Sequence, residues 1–253
     1  MTQQFYVSPE QLMKDRADFA RKGIGRGRSV VVMSCRDGIA LVAENPSPSL
    51  HKLGEIYDRI AFAAVGKYNE FESLRQAGVR YADVRGYSYA REDVTARGLA
   101  SVYAQSLGAV FTAESKPFEV ELVVAEVGRT RDADHLYRLT FDGSIADESG
   151  FVVMGGAADA VVDALQGTWS ADLSLQEAVR ASARALRSDG GAAQAQGAAG
   201  GNGNRPAASP LDPSLLEVAF LERDPDTLRG SRRAFRRIGG PELENLLQHE
   251  QDT

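Results

Sequence analysis

A single cysteine, Cys35, among 253 residues has nothing to pair with inside the chain, so a disulfide framework is excluded and a reducing compartment is implied. Histidine is scarce too: His51, His135 and His249 show no ligand spacing and give no zinc pattern. No apolar run approaches the roughly 20 residues a membrane span needs. The opening MTQQFYVSPEQ has neither a basic segment nor a long apolar one, so neither a span nor a leader is expected. Positive charge is not in excess. A net charge of -6 gives no general pull toward nucleic acid or anionic lipid, and a cytosolic protein that binds neither is expected. Glycine-rich nucleotide loops are missing their context as well. Gly23-Ile24-Gly25-Arg26-Gly27 precedes a strand, whereas a dinucleotide loop follows one; Gly66-Lys67 lacks the earlier glycine and the following Ser or Thr of a phosphate loop. Met154-Gly155-Gly156 does join strand to helix but is too short to carry the claim. No cofactor and no metal are expected, and no internal repeat is detectable.

What is there is ordinary for a soluble globular chain: 43% hydrophobic and 25% charged residues, in a length that holds one α/β domain or at most two. The organising stretch is Arg28 to Glu44, RSVVVMSCRDGIALVAE. Two near-continuous apolar runs joined at Arg36-Asp37-Gly38 predict a hairpin whose strands are buried on both faces. Before it, Ser8-Pro9-Glu10-Gln11 is a helix start. The Ser8 hydroxyl can accept from the Gln11 amide while Gln11 reaches back, and Pro9 suits the first helical position. The helix is predicted over 9–21, with Leu12, Met13, Ala17, Phe19 and Ala20 spread over nearly half its circumference. That width fits either a deeply set core helix or one sandwiched between subunits.

After a loop at 45–49, a strand is expected just after Lys52, and strand patterns recur over 60–65, 118–127, 136–141, 151–154, 215–221 and 234–238. Helical patterns run from Tyr68, from a cap at Asp93, over 157–165, over 174–186 and from Pro241 to about Gln248. Two groups of strands, each followed by a helix pair, predict two packed sheets with helices outside. Residues 189–213, DGGAAQAQGAAGGNGNRPAASPLDP, are too poor in large apolar side chains to offset ordering, and read as a flexible loop within one domain. Arg232, Arg233, Arg236 and Arg237 fall on both faces of the last strand around Phe235, which fits an exposed edge or a subunit contact better than a nucleic-acid groove.

The strings SPEQLMKDRADFARKGI, VAENPSPSLHK, EIYDRIAFAAVGKYNEF, RGYSY, DVTARGLASVYAQ, KPFEVELVVAEV, YRLTFDGSIADE and FVVMGG are long and specific. Through them nearly the whole chain outside 189–213 resembles the α-subunits of actinobacterial proteasomes. The resemblance implies an α+β fold, a four-layer αββα sandwich of the N-terminal-nucleophile hydrolase type with an extra N-terminal helix. It implies homo-heptameric rings that cap rings of catalytic β-subunits. It also implies a tail, Met1 to Val7 with Phe5 and Tyr6 packing across the pore, that gates substrate access, and a docked AAA ring ATPase that delivers proteins tagged with a ubiquitin-like modifier. On this view the whole chain, 1–253, is one α-type domain with no catalytic residue.

The catalytic relatives begin their first strand with a free threonine, and overlaying the hairpin puts that place on Arg28, inside the chain and without a hydroxyl. A hydroxyl nucleophile needs an adjacent base, and neither is present. Ser29 would matter only if cleavage exposed it, and nothing before it resembles a Gly-Thr junction. Cys35 could be a nucleophile with His51 or His135 as base, or a small apolar residue in a buried strand; no motif surrounds it. Taken alone Lys52 is a solvated lysine. By resemblance it is the residue between neighbouring subunits that receives the C-terminal carboxylate of the ATPase, with Gly23 as the glycine of the same pocket. An ammonium suits carboxylate capture. The alternatives are an active hydrolase matured before Ser29 and a scaffold with no protease partner.

Overall fold

The computed structural model describes residues 8–195, 212–224 and 233–248, the side chains of 188–195 aside. The expected gate residues Phe5, Tyr6 and Val7 lie outside the described residues, as do Arg232 and His249.

The predicted hairpin forms. Strands β1 (Val30–Cys35) and β2 (Gly38–Glu44) pair antiparallel, with Val32 opposite Leu41 and Cys35 opposite Gly38. Gly38 takes a φ of +155°, and a Cβ there would sit 2.0 Å from the Leu221 carbonyl oxygen, so this corner needs glycine. Strands β3 (Leu53–Tyr57), β4 (Ile60–Gly66), β5 (Val120–Glu126), β6 (His135–Leu139), β7 (Ile145–Glu148) and β8 (Phe151–Met154) follow, with β9 (Leu216–Glu222) and β10 (Phe235–Ile238) near the end of the chain. They build two antiparallel sheets, one ordered β10-β9-β2-β1-β8 and the other β3-β4-β5-β6-β7. Helices α2 (Tyr68–Ser88) and α3 (Ala96–Ala113) cover the second sheet, while α4 (Ala158–Gln166), α5 (Leu175–Ala195) and α6 (Gly240–Leu247) cover the first. The chain is the four-layer αββα sandwich that the resemblance implies, with an added helix α1 (Pro9–Ile24).

Burial on both faces explains why these antiparallel strands are almost continuously apolar. Along β1, Val30 and Val32 enter the layer between the sheets while Val31, Met33 and Cys35 face the helices. Along β4, Ala61, Ala63 and Val65 point inward and Ile60, Phe62 and Ala64 outward. The period of two is kept, but both sets of side chains leave water. Each fully buried Val, Ile or Leu contributes roughly 1.5–3 kcal/mol.

In several places the structure departs from expectation. Gln11 does not reach back to Ser8; its side-chain amide donates to Asp15 Oδ1 at 2.7 Å, though Ser8 Oγ does accept from the Gln11 amide at 3.2 Å. Helix α1 runs to Ile24 rather than Arg21. Asp93 does not cap α3. It ends a short 3-10 turn in which its carboxylate accepts from Ala90 N, and Thr95 is the cap, its hydroxyl accepting from Gly98 N at 3.2 Å. The backbone of 189–195, expected to be loop, continues α5. Strand β7 is an addition to the expected set: three of its four residues are exposed on a sheet edge, so burial leaves no apolar pattern to read.

Candidate functional site

Lys52 ends a loop that its own polar side chains shape. Asn45 Oδ1 accepts from Ser47 N, Asn45 Nδ2 donates to Leu50 O, and Ser47 Oγ accepts from Leu50 N, so the chain turns sharply after β2 and meets β3. This places the Lys52 ammonium against the head of the hairpin, donating to the carbonyls of Arg28 at 2.7 Å and Glu44 at 3.1 Å. The Lys52 carbonyl in turn accepts from Ala64 N of β4. Arg28 pairs its half-exposed guanidinium with the Glu44 carboxylate. The next hydroxyl, Ser29, is completely buried, and a Cβ on Gly155 would come within 3.0 Å of its Oγ.

Gly23 has a different setting. A Cβ there would lie 2.1 Å from Glu119 Oε2, so its missing side chain serves the close approach of α1 to the segment leading into β5. Glu119 belongs to a compact charged group in which Lys116 Nζ donates to Glu70 Oε1 at 2.7 Å and Glu70 Oε2 accepts from Glu119 N at 2.7 Å. Lys52 and Gly23 therefore have different neighbours. Gly27 adjoins Arg28, whose carbonyl receives the ammonium, and a Cβ on it would be 3.1 Å from the Ile24 carbonyl oxygen and 3.4 Å from Gly66 N. Gly66 holds φ +106° and itself lies over the Glu119 carbonyl. In the sequence Gly27 stands out only as part of a failed nucleotide loop.

Another residue at the site carries no sequence signal at all. Glu217 of β9 accepts through Oε2 from Lys52 N at 2.8 Å and from Asn45 Nδ2 at 2.8 Å, and through Oε1 from Leu53 N at 3.2 Å. Its partners include Arg237 at 2.8 Å and the His51 ring, Nδ1 at 3.2 Å. No local pattern marks it, because it is 165 residues from Lys52 in the chain.

The remaining candidates are accounted for individually. Cys35 is buried, and burial pushes its thiol up to about 11, which leaves it protonated and unreactive at neutral pH. His51 is engaged with Glu217, and His135 stacks on Tyr137, so the rings proposed as its base are occupied elsewhere. The basic residues of β10 lie on a sheet edge and meet carboxylates of the same chain: Arg236 pairs with Glu222 and Glu242, Arg237 with Glu217, and Arg233, just before the strand, with Glu55. A cavity of about 1380 Å³ lies at the far end of β1, beyond Arg36 and Asp37, lined by arginines and carboxylates together, including Arg59, Arg223, Asp58 and Glu126. Among the described residues no group of three or more His, Cys, Asp or Glu is placed to hold a metal ion.

The sequence model of the family described as "Proteasome subunit" matches residues 24–201. A proteasome subunit alpha of Arthrobacter sp. (strain FB24) is 70% identical over 250 residues, which covers 99% of this chain and 100% of that protein. The proteasome subunit alpha of Renibacterium salmoninarum is 68% identical over 247 residues, 98% of this chain and 96% of its own. That of Thermomonospora curvata is 56% identical over 247 residues, with 98% of each chain covered.

Proposed function

The chain belongs to the actinobacterial proteasome α-subunits, which assemble with β-subunits into the rings of the 20S core, and on that premise we propose that it is the non-catalytic outer-ring subunit, with Lys52 as the acceptor for an activator's C-terminal carboxylate. The observation that carries the reading is the seat of Lys52. Its ammonium is held on two backbone carbonyls at the head of β1, where catalytic relatives present their nucleophile. The neighbouring guanidinium of Arg28 is paired with the Glu44 carboxylate and offers no hydroxyl. A lysine ammonium seated in this way suits a carboxylate, and the position supplies no hydroxyl nucleophile. The activator is a ring AAA ATPase that brings substrates bearing a ubiquitin-like tag. The particle is stacked as homo-heptameric α-rings outside β-rings in the cytoplasm, and the tail, with Phe5, Tyr6 and Val7, gates the pore. No helix among the described residues is long and apolar enough to cross a membrane.

Co-expression with a β-subunit tests this. Deleting residues 1–7 is expected to raise hydrolysis of a short fluorogenic peptide by the assembled particle, while Lys52→Ala is expected to leave that hydrolysis unchanged and abolish its stimulation by the ATPase. Unchanged peptide hydrolysis after the deletion would sink the gate. Stimulation that survives Lys52→Ala would sink the docking role. A purified chain whose mass shows cleavage before Ser29 would favour a catalytic subunit instead.

A further inference from the structure

Glu217 is remote in sequence from Lys52 and from the turn that carries it, yet it sits directly beneath that turn and is only 9% exposed. Strand register puts it there: Glu217 of β9 lies opposite Ala43 of β2, one residue from Glu44, whose carbonyl receives the Lys52 ammonium. One carboxylate oxygen accepts the amide of Lys52 and the side chain of Asn45, so it holds both ends of the loop that presents the lysine. The other accepts the amide of Leu53 and a guanidinium N–H of Arg237. Arg237 then reaches past it and donates to the Leu53 carbonyl at 2.7 Å. Leu53 is gripped from both sides, by an acceptor on its N–H and a donor on its C=O.

From this arrangement we infer that Glu217 is the positioning residue of the Lys52 site, clamping with Arg237 the backbone of residues 52 and 53 so that the ammonium stands where a carboxylate can meet it. The inference rests on the docking role proposed for Lys52. Two physical roles for Glu217 would act in opposite directions. If the carboxylate mattered only as a charge, removing it would raise the positive potential around Lys52 and tighten capture of an anion. If it acts as a clamp, a glutamine side chain in its place can accept through one oxygen only and turns an NH2 toward donors that want an acceptor, so the turn loosens and capture weakens.

The test uses the assembled α/β particle and a synthetic peptide carrying the C-terminal residues of an actinobacterial ring ATPase, once as the free acid and once as the amide. Wild type is expected to prefer the acid. Glu217→Gln should lower affinity for the acid roughly tenfold while barely affecting the amide, in particles of wild-type size. Should Glu217→Gln not assemble, Arg237→Gln, on the exposed side of the clamp, is expected to give a smaller loss of the same acid preference. Acid affinity that is unchanged or tighter in whichever variant assembles overturns the clamp. Lys52→Ala separates the two levels. If it abolishes the acid preference and the clamp variants do not, only the role of Glu217 falls; if wild type shows no acid preference, the docking reading falls and takes the clamp with it.

Discussion

Glu121 of β5 shows how a buried carboxylate can be partnered and still cost stability. It is buried, Arg138 meets it at 2.5 Å, and yet its carboxyl is raised above the ordinary 4.5, because burial outweighs the attraction of the half-exposed guanidinium. Protonation therefore favours the folded state. This contribution is fully present below the ordinary value and is lost as pH rises through the raised one. Glu121→Gln is expected to be at least as stable as wild type at pH 8, with wild type gaining on it as pH falls toward 4.5. Thermal melts of both proteins across that range decide it; a difference that does not change with pH, or that grows in the opposite sense, refutes the burial argument. Cys35 obeys the same physics, burial outweighing its backbone hydrogen bonds from Asp37 and Gly38, and its chemistry ends at packing.

At the scale of elements, α1 leaves a group of large apolar side chains uncovered. Ala20 and Ile24 join the layer between the sheets, but Leu12, Met13 and Phe19 remain 45%, 36% and 49% exposed. The wide apolar arc, which fits a core helix and a helix between subunits equally well as a pattern, is thus divided: Ala20 and Ile24 belong to the core, while Leu12, Met13 and Phe19 stay partly exposed. Leu12→Ser combined with Phe19→Ser is expected to cost the isolated chain about 1.5–3 kcal/mol, since each side chain is about half buried, and to prevent ring formation with β-subunits. Size-exclusion chromatography with light scattering reads this directly, and a full-sized particle from the double variant would show that this face is not an assembly contact.

For the molecule as a whole, the sheets are joined not only by the apolar layer but by an enclosed ion pair. Arg223, just after β9, meets Asp134, just before β6, at 2.6 and 2.9 Å, with side chains only 13% and 4% exposed. The same guanidinium donates to the carbonyls of Cys35 and Gly128, and Ser34 Oγ donates to Asp134. One pair therefore ties the end of β1 and the end of β9 to the second sheet. Removing one partner of such a pair leaves a desolvated charge, at about 3–5 kcal/mol. Asp134→Asn should lose about that much stability in urea unfolding; a loss under about 1 kcal/mol would mean that the apolar layer alone fixes how the sheets meet.

What local chemistry writes into the chain is legible from residues alone. Val30 to Val42 declares a hairpin because both faces of its strands are buried, and Ser8-Pro9 declares a helix start because a cap is a contact between neighbours in sequence. The absence of a hydroxyl at Arg28 is likewise a property of one position. Edge strand β7 and the low-complexity end of α5 stay hidden, since neither carries an apolar period. The clamp on Lys52 is hidden for a deeper reason: Glu217 and Arg237 reach it only because β9 adds beside β2 and β10 beside β9, and which strand lies next to which is decided by long-range packing, not by any stretch of residues read alone.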